Sequence, residues 1–181
     1  LILLDLGVSS RQLDEDALGF SFRPGAPLDM RMSGAGDSAA DLLNSWEEDD
    51  LAHAFADWGD ERRARPLARE VARRRARAPF ATSDDLVNAI RSVLGPRRGP
   101  SDFARLFQAL RIAVNDEFSV LDALLRSLPQ CLAPGGRVAV LTFHSGEDRR
   151  VKKAFQAGYR GGVYRAVATE VIRPAKEETF S

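Results

Sequence analysis

The chain has 181 residues, 44% hydrophobic and 29% charged, enough to bury a core and too apolar for a disordered chain. Lys and Arg number 26, as do Asp and Glu, so a net charge of zero excludes a uniformly basic nucleic-acid binder and leaves room only for a local patch. One cysteine, Cys131, excludes an internal disulfide framework, two histidines argue against a Cys/His zinc site, and apolar runs of about four to six residues are too short for a membrane span. With no basic segment at the start of the kind that opens a secretion signal, a reducing, cytoplasmic location is expected.

Leu1 to Leu4 form a short apolar run that stops at Asp5-Leu6-Gly7. Such an unalternated run predicts a strand buried on both faces of a parallel sheet. Capping-box patterns follow at Ser38-Ala-Ala-Asp41 and Ser45-Trp-Glu-Glu48. Leu51, Phe55 and Trp58 have helical spacing, and Gly59 ends that helix. Ala64, Leu67, Ala68, Val71 and Ala72 make the next apolar stripe, with Pro66 in its first turn. Thr82-Ser-Asp-Asp85 caps a helix carrying Leu86, Val87, Ile90 and Leu94, and "GPRRGPSD" is a loop. From Phe103 to Leu128 the spacing predicts one long helix, or two with a break near Asn115 to Glu117. Pro134 and the Gly135-Gly136 pair then turn the chain into a second buried run, Val138 to Phe143. A parallel crossover needs only a dozen or so residues, so most of the stretch between the two strands reads as an all-helical insertion.

Charge is segregated within that insertion. Ser33 to Glu61 hold nine acidic residues and no Lys or Arg, whereas Arg62 to Arg77 hold eight Arg and one Glu. A solvated face paired with the acidic stretch is one reading of the Arg-rich helix, and a phosphate-contacting surface is the other. At the first strand's exit, Asp5 stands where ligands bind in open α/β sheets, and its carboxylate can accept hydrogen bonds from a ligand amine. A turn cap is the competing reading of Asp5.

"LLDLGVSS", "GFSFRPGAPLDMRM", "FQALRIAVNDE", "LAPGGRVAVLTFH" and "FHSGEDRRVK" occur in this order, and together they closely resemble the RsmH (MraW) family from Leu1 to about Pro174. The resemblance implies methylation of the exocyclic 4-amino group of a cytidine in small-subunit ribosomal RNA, with S-adenosyl-L-methionine as the methyl donor. It implies an α/β fold: part of a Rossmann-like class I methyltransferase domain carrying an all-α insertion. Residues 1–37 then open the methyltransferase domain at its fourth strand. Residues 38–102 are the helical, RNA-binding insertion, and 103–181 continue the methyltransferase domain. A piece of a longer protein is expected, with the glycine-rich cofactor loop and the ribose-binding acid upstream and the last strand downstream. Such a piece alone is expected to be inactive.

In that family the Asp of "DLGVSS" and a Gln shortly after it contact the methyl donor, which carries over to Asp5 and Gln12. Three positions depart from the family pattern: Arg11 in place of Pro, Ala104 in place of Thr within "SDFAR", and Gly146 in place of Leu within "FHSGEDR". The amine of cytosine is a poor nucleophile, so polar acceptors beside apolar walls are expected around an unstacked base. Near that pocket, Asp29 and Arg31 follow Phe20 and Phe22, and Gln108, Arg111 and Asn115 share a helix face. His144 and Ser145 stand at the second strand's end. Asn115 and His144 are the candidates for catalysis, and Asp29, Arg31, Gln108 and Arg111 for substrate contact, with Arg73, Arg74 and Arg75 on RNA phosphates. A solvated helix face and a capping histidine are the competing readings. No metal is expected. A noncatalytic RNA-binding or ribosome-assembly factor of the same fold is the alternative function, and a small-molecule methyltransferase is a further rival.

Overall fold

A computed structural model describes residues 1–171, and of Ser10 and Arg11 the backbone alone. The chain divides into two units, one formed by Leu1–Leu6 with the chain from Leu121 onward, the other by Gly7–Val120.

In the first unit, β1 (Ile2–Asp5) pairs in parallel with β2 (Val138–Leu141), in a register running from Ile2 opposite Val138 to Asp5 opposite Leu141. The pairing is extended by the Ile2 amide, which donates to Arg137 O at 2.8 Å, and Gly135, at φ 76°, makes the turn ahead of β2. Ile2, Leu4, Val138 and Val140 pack on Leu121, Leu125 and Leu128 of α7 (Glu117–Cys131) and on Val151 of α8 (Ser145–Arg160). The strands are not buried on both faces as the apolar runs predict. Leu3, Leu141 and Phe143 are 63%, 45% and 67% exposed, because among the described residues this unit lays helices on one side of the strands only.

The second unit is helical. After α1 (Ser10–Asp14) and a 3-10 turn at Asp16–Leu18 come α2 (Ala39–Ser45), α3 (Glu48–His53), α4 (Ala64–Arg75), α5 (Ser83–Leu94) and α6 (Pro100–Asn115). Their apolar stripes meet in one core that includes Leu43, Leu51, Phe55, Leu67, Leu86, Ile90, Leu106 and Leu110. The capping boxes at Ser38/Asp41 and Thr82/Asp85 both form. The one expected at Ser45 does not. Ser45 lies inside α2 and donates its hydroxyl to Asp41 O at 2.7 Å, and the next helix starts after Glu47. Serine can turn back on the carbonyl four residues before it, and that bond competes with a cap.

Between α3 and Gly59 the helix widens into a π turn, Ala54–Trp58. A Cβ on Gly59 would lie 2.8 Å from Phe55 O and 3.2 Å from Ala109 Cβ, so α6 packs close to this bend. Of the two alternatives for the long apolar stretch, the structure has two helices: Asp116 takes φ 47° and separates α6 from α7. The mixed, helix-rich architecture with its small parallel sheet fits the partial Rossmann-like α/β fold that the motifs imply.

Candidate functional site

Asp5 is the last residue of β1 and is exposed, so its carboxylate stands at the carboxyl end of a parallel strand. Gln12 lies in α1, where its Oε1 accepts the Ser9 amide at 2.9 Å while the Gln12 amide meets Ser9 Oγ at 3.4 Å. Ser9 and Gln12 therefore close a capping box. This engages the oxygen of Gln12, while its Nε2 donates no hydrogen bond among the described residues.

The Gly7–Val120 unit brings Asp29, Arg31 and Asn115 together. Arg31 grips Asp29 through two parallel bonds, Nε to Oδ1 and Nη2 to Oδ2, each 2.8 Å, and its backbone amide adds a third at 3.1 Å. Its Nη1 donates to Gly36 O at 3.1 Å. These Arg31 hydrogen bonds hold the Asp29 carboxyl below the usual carboxylate range, against the opposing effect of burial. Asn115 ends α6 and reaches the same turn, donating Nδ2 to Met30 O at 2.8 Å and accepting the Met32 amide on Oδ1 at 2.9 Å. Arg111, one turn earlier, is held by Glu117 through bonds of 2.7 and 3.0 Å. Gln108, on the same helix, is half-buried, and its side chain makes no hydrogen bond among the described residues.

At the end of β2, His144 occupies the N-cap position of α8, yet its side chain does not cap it. Its Nε2 lies 3.3 Å from Oε1 of Glu147. Glu147 is buried, and its Oε2 accepts the Phe143 amide at 2.8 Å. Sequence reasoning misses Glu147, although an acid three residues beyond a cap position is a recognisable signal. It also misses Glu117, whose partner lies across a helix break and leaves no local mark.

The arginines of α4 divide by role. Arg73 and Arg74 both bind Glu70, at 2.7 and 2.6 Å, and Arg74 also reaches Asn88 O at 3.3 Å. Arg75 turns inward and donates to Leu43 O and Trp46 O at 3.0 and 2.6 Å. Arg65 and Arg69 reach Asp49 and Glu48, so part of the acidic stretch does neutralise the basic helix. Arg73, Arg74 and Arg77 nevertheless border a cleft of about 340 Å³, completed by Ala78, Pro79, Phe80 and Asp85. Among the described residues no hydrogen bond or ion pair joins these arginines to the Asp29–Arg31–Asn115 group.

The parallel strand pair with its helices places the chain among the α/β proteins, a class that commonly binds ligands beyond the strand ends. The chain belongs to the MraW methylase family, whose model matches residues 1–173. It is 59% identical over 156 residues to the ribosomal RNA small subunit methyltransferase H of Gemmatimonas aurantiaca, covering 86% of this chain and 50% of that protein. Proteins of the same name from Methylobacterium sp. strain 4-46 and Elusimicrobium minutum are 49% and 46% identical, over 97% and 98% of this chain and 52% and 61% of theirs. The chain thus spans about half the length of the curated relatives it matches. No helix among the described residues is long and apolar enough to cross a membrane.

Proposed function

We propose that this chain is the part of a cytoplasmic S-adenosylmethionine-dependent methyltransferase that meets both donor and RNA, and that the enzyme methylates the exocyclic 4-amino group of a cytidine in small-subunit ribosomal RNA. The observation that carries the reading is Asp5, an exposed carboxylate closing a parallel strand in a chain that a methylase family matches over residues 1–173. Residues 1–37 and 103–181 belong to the methyltransferase domain in this reading, with 38–102 as the RNA-facing insertion.

The residues present fit the donor. Asp5 offers an unburied acceptor for an amine, and Gln12 keeps its Nε2 hydrogens for an acceptor on the ligand. When bound, S-adenosylmethionine supplies an electrophilic methyl on a cationic sulfur. On the RNA side, the Asp29–Arg31 pair presents a fixed guanidinium, whose remaining N–H groups suit carbonyl or phosphate oxygens. Gln108 and Arg111, on the helix that ends at Asn115, are assigned to the same substrate contact. The amine must lose a proton once methylated. His144, at the end of β2 with its Nε2 3.3 Å from the buried Glu147 carboxylate, is the residue we assign to take it.

The test is calorimetric titration of the intact enzyme with S-adenosylmethionine, followed by tritium transfer to assembled small subunits and to naked RNA. Donor binding that disappears in Asp5→Ala, together with transfer to cytidine, is the expected result. RNA binding with no donor binding would replace the enzyme with a noncatalytic assembly factor.

The inward turn of Arg75 decides which arginines can report on RNA. Arg75 props α2 from within, so its reversal would disturb the fold. Arg73 and Arg77, at the mouth of the cleft, are the informative positions. Arg73→Glu with Arg77→Glu is expected to weaken RNA binding and to lower the slope of log affinity against log salt by roughly 0.7–0.9 for each phosphate no longer neutralised. An unchanged slope rules the cleft out.

A further inference from the structure

Met30 is a buried, non-glycine residue at φ 64°, a left-handed backbone that a β-carbon disfavours. Such a conformation persists only where its surroundings over-determine it, and an observed outlier of this kind points toward function. Here the turn is tied on every side. The Met30 amide donates to Leu18 O at 3.0 Å, Asp29 O accepts the Ala39 amide at 2.9 Å, and Leu28 O accepts the Ala40 amide at 2.8 Å. The Arg31 amide donates to Asp29 Oδ1 at 3.1 Å, and two further ties come from one side chain more than eighty residues further along the chain. Asn115 Nδ2 holds Met30 O, and Asn115 Oδ1 holds the Met32 amide. The second hydrogen of Nδ2 goes to Arg111 O at 2.9 Å, which fixes the amide's orientation on α6.

Both amide hydrogens of Asn115 are therefore engaged, so it has no donor left for a substrate. Arg31, between the two residues that Asn115 holds, is in the opposite condition. It gives Nε and one hydrogen each from Nη1 and Nη2 to Asp29 and Gly36, and a guanidinium has five. Among the described residues the other two N–H groups find no partner, and they sit on a half-buried and oriented fork.

We infer that Asn115 is a positioning residue: it clamps the Met30–Met32 backbone in its left-handed turn and so aims the free N–H groups of Arg31 at the substrate nucleotide. This role replaces direct catalysis by Asn115. It rests on the proposed RNA contact of Arg31 and adds the device that sets its direction.

A double-mutant cycle in the intact enzyme separates the inference from that reading. Asn115→Ala is expected to lower kcat/KM for methyl transfer to small subunits by ~10–100-fold, with donor affinity unchanged. Arg31→Ala is expected to do the same, and the double variant to be no worse than Arg31→Ala alone, since one residue acts through the other. Asn115→Asp keeps the acceptor for Met32 and loses both donors, and is expected to fall between wild type and Asn115→Ala. It also provides a variant should the alanine fail to fold. Additive losses, or an Asn115→Ala enzyme within twofold of wild type, would overturn the clamp. Loss in Asn115→Ala with none in Arg31→Ala would overturn its action through Arg31. If the wild-type enzyme transfers no methyl group to RNA, the underlying reading fails instead.

Discussion

Backbone geometry sets the hardest constraints on single residues. Gly19 has φ 71°, and a Cβ there would lie 2.4 Å from Pro27 O and 2.6 Å from Asp29 N. Gly25 has φ 79° but nothing within 4 Å of its would-be Cβ. Gly19→Ala combines left-handed strain with a backbone clash and is expected to cost ~3 kcal/mol, against ~1 kcal/mol for Gly25→Ala. Urea denaturation of the two variants checks the difference, and equal midpoints would refute it. Because Gly19 lies against the backbone leading into Asp29, the turn that carries Arg31 is built on that glycine. A sequence scan finds "PLDMRM" as a cluster of polar residues beside aromatics. It does not find that Asp29 and Arg31 bind each other, or that Asn115 holds the residues on either side of Arg31. Those are contacts of folded chain, and no local spacing encodes them.

Among the elements, those that depend on local chemistry are legible in the sequence. The caps at Ser38 and Thr82, the stop at Gly59 and the stripe of α4 follow from short-range rules. The π turn at Ala54–Trp58 is not legible, because its apolar spacing mimics an ordinary helix. The division of labour along α4 is not legible either, since its five arginines look alike until their partners are known. Glu70 is the hinge of that arrangement. Hydrogen bonds from Arg73, then Arg74 and Ser92, lower its carboxyl from 4.5 to about 2, against desolvation. A carboxyl depressed by folding stabilises the native state above its unfolded value, and that contribution is lost as pH falls through the folded one. Glu70→Gln is therefore expected to be less stable than wild type by on the order of 1–2 kcal/mol at pH 7, a figure reduced for solvent screening. The gap should close between about pH 4.5 and 2. Denaturant midpoints measured across that range provide the check, and a gap independent of pH would contradict the assignment.

For the molecule as a whole, a net charge of zero hides strong local asymmetry, and two separate cores hide behind one composition. The strands themselves are readable as apolar runs. That one face of their sheet stands open among the described residues is not, because an unalternated run says nothing about which neighbours cover it. With Leu3, Leu141 and Phe143 exposed, residues 1–181 are expected to bind a hydrophobic dye such as ANS in the folded state. Leu3→Lys with Phe143→Lys should abolish most of that signal. A wild-type chain that does not enhance the dye's fluorescence would show the face to be covered.

The pairing of Ile2 with Val138 has a consequence in time. These partners lie more than a hundred residues apart, so closing the sheet costs loop entropy before any contact offsets it. The Gly7–Val120 body has a core of its own and can order first, leaving little free chain between the strands. An order of assembly from the middle of the chain outward is therefore expected. Asp5 is expected to reach its place at the strand end last, after the scaffold that carries Arg31 and Asn115 is set, and pulsed hydrogen exchange during refolding that protects the Ile2–Asp5 amides before those of α6 would refute it.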